Sequence, residues 1–234
     1  MNGTKRRDLT IVPITAQNSL VIACDSCGAV GIKDGDIYKL STHYTGKFAA
    51  RVALTEVLCS GASPVVITNG VACEMNPTGK ETIKGINEEL ENAGLMDIVL
   101  SGSTEENFST SMTALAVTVV GIANENDLRF KRAAIGDKLI LVGSPKVGTE
   151  VDLEGKGFYQ EISHLLSMPG VKEIVPVGSK GVAYEVGTLA ALSDRQAELY
   201  ETGLDYGKSA GPATCILVLS EEVVPFGTVI GKIT

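Results

Sequence analysis

Histidine is nearly missing from this chain. There are two, His43 and His164, far apart in sequence. With so few, and with no nucleophile elbow, acyl transfer by a Ser-His pair has little support. Cysteine is sparse as well: five residues, an odd number without framework spacing. Reduced, buried thiols are the default for such a set. Cys24 and Cys27 form one C-x-x-C, but a structural zinc site needs a second ligand pair. A redox C-x-x-C opens a helix, whereas this pair straddles a strand end, so both thiols read as packing residues. Positive charge is short too. Lys and Arg number 20 against 28 Asp and Glu, a net charge of −8. That argues against a non-specific nucleic-acid surface, although a nucleotide needs only a few placed lysines and a metal. The longest apolar stretches, such as Ala114 to Ala123, fall far short of a membrane span. No clean signal-peptide core follows the basic start, Met1 to Arg7. These absences predict a soluble, cytoplasmic protein.

What is present is an apolar content of 44% in 234 residues, enough for one large domain or two ordinary ones. The run Leu20 to Ala23 reads as a buried strand bounded by turn signals. It delivers Asp25 into a segment holding Gly28, Gly31 and Gly35, with Lys33, Asp34 and Asp36 close by. A carboxylate at a strand end, followed by backbone without Cβ, suits an anion and its metal. A plain strand and turn would look the same.

Ser41 or Thr42 can cap a helix running to about Ser60 and ended by Gly61. Ala49, Val52, Ala53 and Glu56 share one of its faces. Pro64 to Ala72 reads as a strand. A helix opens at Asn76-Pro77 and stops at Gly94, with Ile83, Ile86, Leu90 and Ala93 inward. Its charges, Lys80, Glu81, Lys84, Glu88, Glu89 and Glu91, read as a solvated face. Met96 to Leu100 is a short strand leading into the loop Ser101 to Asn107, and Ser109 to Ala123 is a long strand. The polar segment Asn124 to Lys131 is a boundary. Beyond it the pattern restarts, with strands at Lys138, Val171, Ala213 and Val229 and helices over 157–168 and from Val182. The expected domains are residues 1–126 and 127–234.

Three acidic loci lie at loop or helix ends of the first half: Asp25 with Asp34 and Asp36, then Glu56, then Glu105 with Glu106. Carboxylates brought together repel unless a divalent metal sits between them. Magnesium held by a few acids and substrate phosphates is the usual arrangement in phosphoryl transfer. Gly102, Ser103 and Thr104 add hydroxyls and open backbone.

The spacing of Asp25-x-x-Gly28 with Gly31 and Lys33, then Ala53-Leu54-Thr55-Glu56-Val57-Leu58-Cys59-Ser60-Gly61-Ala62-Ser63-Pro64, then Ser101-Gly102-Ser103-Thr104-Glu105-Glu106, resembles the aminoimidazole ribonucleotide synthetase (PurM-like) superfamily. Asp137 to Gly143 and Val177 to Val182 resemble its C-terminal half. The resemblance implies an α+β, two-domain fold. Its N-terminal mixed sheet with helices binds ATP and magnesium and pairs in a homodimer, and an α/β domain follows. Asp25, Glu56 and Lys33 are the implied catalytic residues, and Asp25, Glu56, Glu105 and Glu106 the magnesium ligands. Asp25, Gly28, Gly31, Lys33, Gly102, Ser103 and Thr104 would hold the nucleotide. Glu56 stands where the family has Asp, and Ser103 where it has an acid. The short form and the Ser103-Thr104-Glu105-Glu106-Asn107 loop are most similar to proposed α-ribazole kinases of cobalamin salvage. The implied reaction is phosphorylation of a nucleoside-like alcohol, α-ribazole, by ATP. The alternatives are a catalytically silent nucleotide-binding protein, a superfamily enzyme with another acceptor, and a redox or zinc protein built on Cys24 and Cys27. Lys146, Lys180 and His43 are further candidates for meeting substrate or phosphate.

Overall fold

The computed structural model describes residues 3–130 and 132–234. The first two residues of the basic start and Lys131 of the expected boundary lie outside them. Two compact units result: residues 1–57 with 62–125, and residues 58–61 with 126–234.

The first unit contains β1 (Thr4–Arg6), β2 (Leu9–Pro13), β3 (Asn18–Gly28), β4 (Val30–Gly31), β5 (Tyr38–Lys39), α1 (Thr42–Cys59), β6 (Ser63–Val71), α2 (Lys80–Ala93), β7 (Val99–Thr104) and β8 (Ala114–Asn124). The last residues of α1 are grouped with the second unit. A mixed sheet has the order β1-β2-β3-β8-β6-β7, with only β6 and β7 parallel. Alternation along β3 and β8 turns Val21, Ala23, Leu115, Val117 and Val119 to a fully covered face. On that face Val57 of α1 packs at Gly121, where an added Cβ would come within 2.5 Å of it.

Ser41 caps α1, its hydroxyl accepting from the His43 N–H, and Gly61 ends it with φ +89°. The two helices touch backbone to backbone through glycine. A Cβ on Gly46 would lie 2.2 Å from the Thr82 carbonyl, and one on Gly85 1.8 Å from that of His43. Beside this contact His43 and Lys47 both pair with Glu88, and Arg51 with Glu89. The expected solvated charge face of α2 is therefore wrong for Glu89, which is fully buried, while Glu88 stays partly exposed. Close helix approach has drawn Glu88 and Glu89 across to the cations of α1, leaving Glu81 and Lys84 to pair at the surface. The helix expected to open at Asn76-Pro77 starts instead at Lys80: Asn76 is extended (φ −119°, ψ 114°) and the cis peptide to Pro77 kinks the chain ahead of α2.

The second unit holds β9 (Lys138–Gly143), α3 (Tyr159–Ser167), β10 (Val171–Pro176), α4 (Val182–Leu192), β11 (Ala197–Leu199), β12 (Cys215–Ser220) and β13 (Thr228–Ile233). Its sheet order is β10-β12-β9-β13-β11, and every pairing is antiparallel. This half is α+β, not the expected α/β: β9 and β10 run the same way, but β12 is inserted between them. Leu139, Leu141, Leu217 and Leu219 pack with Val182, Val186 and Leu189 of α4. Ile140, Val142, Ile216 and Val218 pack with Ile162 and Leu165 of α3. Burial on both faces explains why these strands read as unbroken apolar runs.

Candidate functional site

β3 and β6 are both antiparallel to β8, and β7 is parallel to β6. The three strands thus share a direction, and the segments after them, 29–41, 72–79 and 105–113, leave from one edge of the sheet. Register puts Asp25, Val117, Asn69 and Gly102 on one rung, and Cys27, Leu115, Val71 and Thr104 on the next but one. Residues of a rung share a face. Asp25 and Asn69 therefore stand on the covered face, two strands or about 10 Å apart. Ser103, opposite Gly70, points the other way.

Asp25 is half-buried. Burial pushes its carboxyl up to about 6, opposed only in part by a hydrogen bond from the Ser26 N–H. No lysine or arginine among the described residues pairs with it. Asp36, by contrast, is a structural anchor. It is buried and accepts from the Thr113 N–H (2.7 Å), the Thr113 hydroxyl (2.8 Å) and the Lys33 N–H (2.8 Å). Burial would raise its pKa, but those bonds outweigh it and the carboxyl sits below its usual range. Gly31 serves the same anchor: a Cβ there would meet the Thr113 hydroxyl at 2.1 Å and Asp36 Oδ2 at 2.5 Å. Gly28 is open, with nothing within 4 Å of an added Cβ.

Lys33 Nζ donates to Glu74 Oε2 at 2.6 Å, and the other Glu74 oxygen accepts from the Thr78 hydroxyl. Burial would lift the Glu74 carboxyl, but the bonds from Lys33 and Thr78 pull it down to about 2. Glu106 Oε1 accepts from the Met75 N–H and the Thr104 hydroxyl, both at 2.7 Å. Glu105 caps its own turn, accepting from the N–H groups of Asn107 (2.7 Å) and Phe108 (3.2 Å). Its own N–H reaches the carbonyls of Val71 and Cys73. Lys33, Glu74, Thr104, Glu105 and Glu106 thus gather around residues 71–79. Beside them a cleft of about 280 Å³ is lined by Asn69, Met75, Ile83, Gly102, Ser103 and Thr104. A Cβ on Gly102 would fall 2.5 Å from the Asn69 amide nitrogen, so this glycine admits Asn69, which donates to the Ser101 carbonyl.

Glu56 lies near the C-terminal end of α1. Its neighbour Val57 packs at Gly121, which pairs with Val21 of β3, four residues or about 13 Å before Asp25. Among the described residues no three of His, Cys, Asp and Glu are grouped to hold a metal ion. A magnesium held chiefly by phosphate oxygens and water is a different demand. A half-buried carboxylate without a cation, Asp25, fits one place in such a shell.

Cys24 and Cys27 point to opposite faces of β3. Cys24 is exposed, and Cys27 is raised by burial first and by Asp25 and Asp36 next. The alternation of a strand removes the redox or zinc reading. In the second unit Lys180 lies over the Tyr184 ring at 4.3 Å, and the Lys146 N–H donates to the Thr214 hydroxyl. Glu74, Thr78, Asn69 and Thr113 are not singled out by the sequence. Glu74 carries one usable signal: it is an acid just beyond an apolar strand, β6.

No protein of curated function matches the sequence. Solved structures do. Thiamine monophosphate kinase from Aquifex aeolicus superposes with a TM-score of 0.73 at 15% identity, over 98% of this chain and 89% of that one. T. maritima PurL complexed with AMPPCP gives 0.70 at 14%, over 95% of this chain and 41% of that one. E. coli HypE, a hydrogenase maturation protein, gives 0.67 at 19%, over 92% and 79%. At such identities the likeness establishes the fold. The sequence itself matches the family described as AIR synthase related protein, N-terminal domain, over residues 6–123, half of the chain, and the chain belongs to that family.

Proposed function

We propose that this protein is an ATP- and magnesium-dependent phosphotransferase acting on a small nucleoside-like alcohol, with α-ribazole as acceptor and its 5′-phosphate as product. The observation that carries the reading is the shared direction of β3, β6 and β7. It delivers Asp25, Lys33, Thr104, Glu105 and Glu106 to one edge of a sheet in a family whose fold is shared with a kinase. Asp25 is the assigned ligand of the magnesium that accompanies ATP, and Glu105 and Glu106 are assigned to its shell through water. The metal, when bound, neutralises phosphate charge. Lys33 supplies a fixed cation for phosphate oxygens. Gly28 leaves room for close approach, and Gly102, Ser103 and Thr104 border the cleft. Glu56 belongs to the assignment only if a bound nucleotide spans the distance to Asp25. Residues 1–126 are the proposed nucleotide-binding half, pairing in a homodimer, residues 127–234 the second half, and the cytoplasm the compartment.

A second reading, a silent nucleotide-binding protein, is favoured by Ser103, a hydroxyl facing away from Asp25 where the family has an acid. The two part on turnover. Purified protein with ATP, magnesium and α-ribazole, with thiamine phosphate as competitor, should form ADP and a phosphorylated product. The Asp25→Asn variant should not. Binding without ADP formation on any acceptor would favour the silent reading.

A further inference from the structure

The most constrained cation at this edge of the sheet is Lys33, and both of its ends are held. Its N–H donates to Asp36 Oδ2 at 2.8 Å, and its carbonyl accepts from Lys39 Nζ. Its ammonium donates to Glu74 Oε2 at 2.6 Å, although the two residues are 41 apart in sequence. The side chain of Lys33 is only 17% exposed.

Glu74 is fixed just as firmly. Its carbonyl accepts from the Gly79 N–H at 2.9 Å, and Oε1 takes the Thr78 hydroxyl, whose residue is buried. The next residue is tied by its N–H to Glu106, and the one before by its thiol to the Met112 carbonyl at 3.4 Å. One carboxylate oxygen is thus locked by Thr78 and the other is aimed at Lys33.

A lysine carries about 2 kcal/mol of side-chain rotamer entropy when free. A lysine already held loses less of it on meeting an anion, which is preorganisation. An ammonium has three N–H donors. One of them goes to Glu74, so two remain for a ligand. Asp36 and the Cys73 thiol face the same ammonium, and neither is hydrogen-bonded to it. A surface ion pair adds little stability on its own, so a strut this carefully fixed at both ends calls for a further role.

We propose that Glu74 is a positioning residue: it holds the Lys33 ammonium in place to receive a phosphate oxygen of the nucleotide. This rests on the nucleotide-binding reading above and adds a residue that neither the motifs nor the family match assigns. Glu74 touches no phosphate in this scheme. It acts through Lys33 alone, with Thr78 as its brace.

The test is a double-mutant cycle on ATP affinity, measured by calorimetry with magnesium and ATP. Lys33→Met should weaken binding about tenfold, the loss of one charge-assisted hydrogen bond. Glu74→Gln should weaken it by a similar factor, and the double variant should be no weaker than Lys33→Met. A role confined to shaping the segment would instead give losses that multiply. Thr78→Val, which loosens the carboxylate without removing it, should cost about threefold in the wild-type background and nothing in the Lys33→Met background. That variant decides the matter if Glu74→Gln does not fold. Glu74→Gln binding ATP as tightly as wild type, or multiplicative losses, would overturn the proposal and leave the nucleotide reading standing. Wild-type protein that binds no ATP would overturn both.

Discussion

Arg51 of α1 and Glu89 of α2 form a bidentate pair, Nε to Oε1 at 2.8 Å and a terminal guanidinium nitrogen to Oε2 at 2.9 Å, in the interior of the first unit. Glu89 is fully buried and Arg51 nearly so, with its guanidinium 5.0 Å from the centre of the Phe48 ring. Removing one partner takes the bidentate bond from the other while its charge stays buried. Glu89→Gln should therefore cost about 3–5 kcal/mol. Replacing both, as Arg51→Met with Glu89→Leu, should recover much of that loss, because two apolar groups leave no stranded charge. Urea unfolding of these two variants against wild type measures both statements. A single variant within about 1 kcal/mol of wild type would mean that solvent reaches the pair.

The glycines of the helices separate close packing from mere tolerance. Gly85→Ala must push a Cβ into the His43 carbonyl, 1.8 Å away, with the Lys47 nitrogen at 2.8 Å. Both obstacles are backbone, so α1 and α2 have to move apart, at a cost of about 3 kcal/mol or more. Gly187, exposed on α4, has nothing within 4 Å of an added Cβ. Gly187→Ala should stabilise by about 0.5–1 kcal/mol through the unfolded chain. Thermal melts moving in opposite directions are the expected result.

These pairs also show what the sequence could and could not reveal. The helix from Thr42 and the alternating strands were legible because caps and periodicity are local signals. Asp25 was legible for the same reason, as an acid closing an apolar run. Glu89 was misjudged because helical spacing gives which residues share a face, not which helix lies opposite, and only the glycine contact draws it inside. Ser101 to Thr104 look like loop in the sequence because small polar residues resemble a turn. They continue β7 along the parallel register with β6, which no local pattern encodes. Glu74 went unnoticed because its partner is 41 residues away.

The cysteines give a chemical check on the strand geometry. Cys24 is exposed on one face of β3, Cys27 is half-buried on the other, and Cys59, Cys73 and Cys215 are buried. Burial pushes the Cys215 thiol up to about 12, which removes its thiolate at neutral pH. A thiol reagent at pH 8 should label Cys24 first and Cys27 more slowly, and reach the other three only on unfolding. The Cys24→Ser, Cys27→Ser double variant should fold and melt like wild type. A Cys24–Cys27 disulfide under mild oxidation would contradict the register of β3 with β8.

Asp25 is the position where stability and function should oppose one another. Its pKa is raised from 3.8 to about 6 because burial disfavours the charged form. Folding then favours the protonated carboxyl, so the sign runs against the usual case for an acid. Well below pH 3.8 the side chain is neutral in both states and costs nothing extra. As pH rises through 6 the folded protein must carry a partly desolvated anion that the unfolded chain carries in water. Asp25→Asn should match wild type at about pH 3 and exceed it by about 1–3 kcal/mol at pH 8 without ligand. Adding magnesium and ATP should reverse the order at pH 8, since only wild type would gain from ligand binding. Denaturant midpoints at both pH values, with and without ligand, give the four numbers required. Wild type more stable than Asp25→Asn at pH 8 without ligand would show that the carboxylate already has a partner.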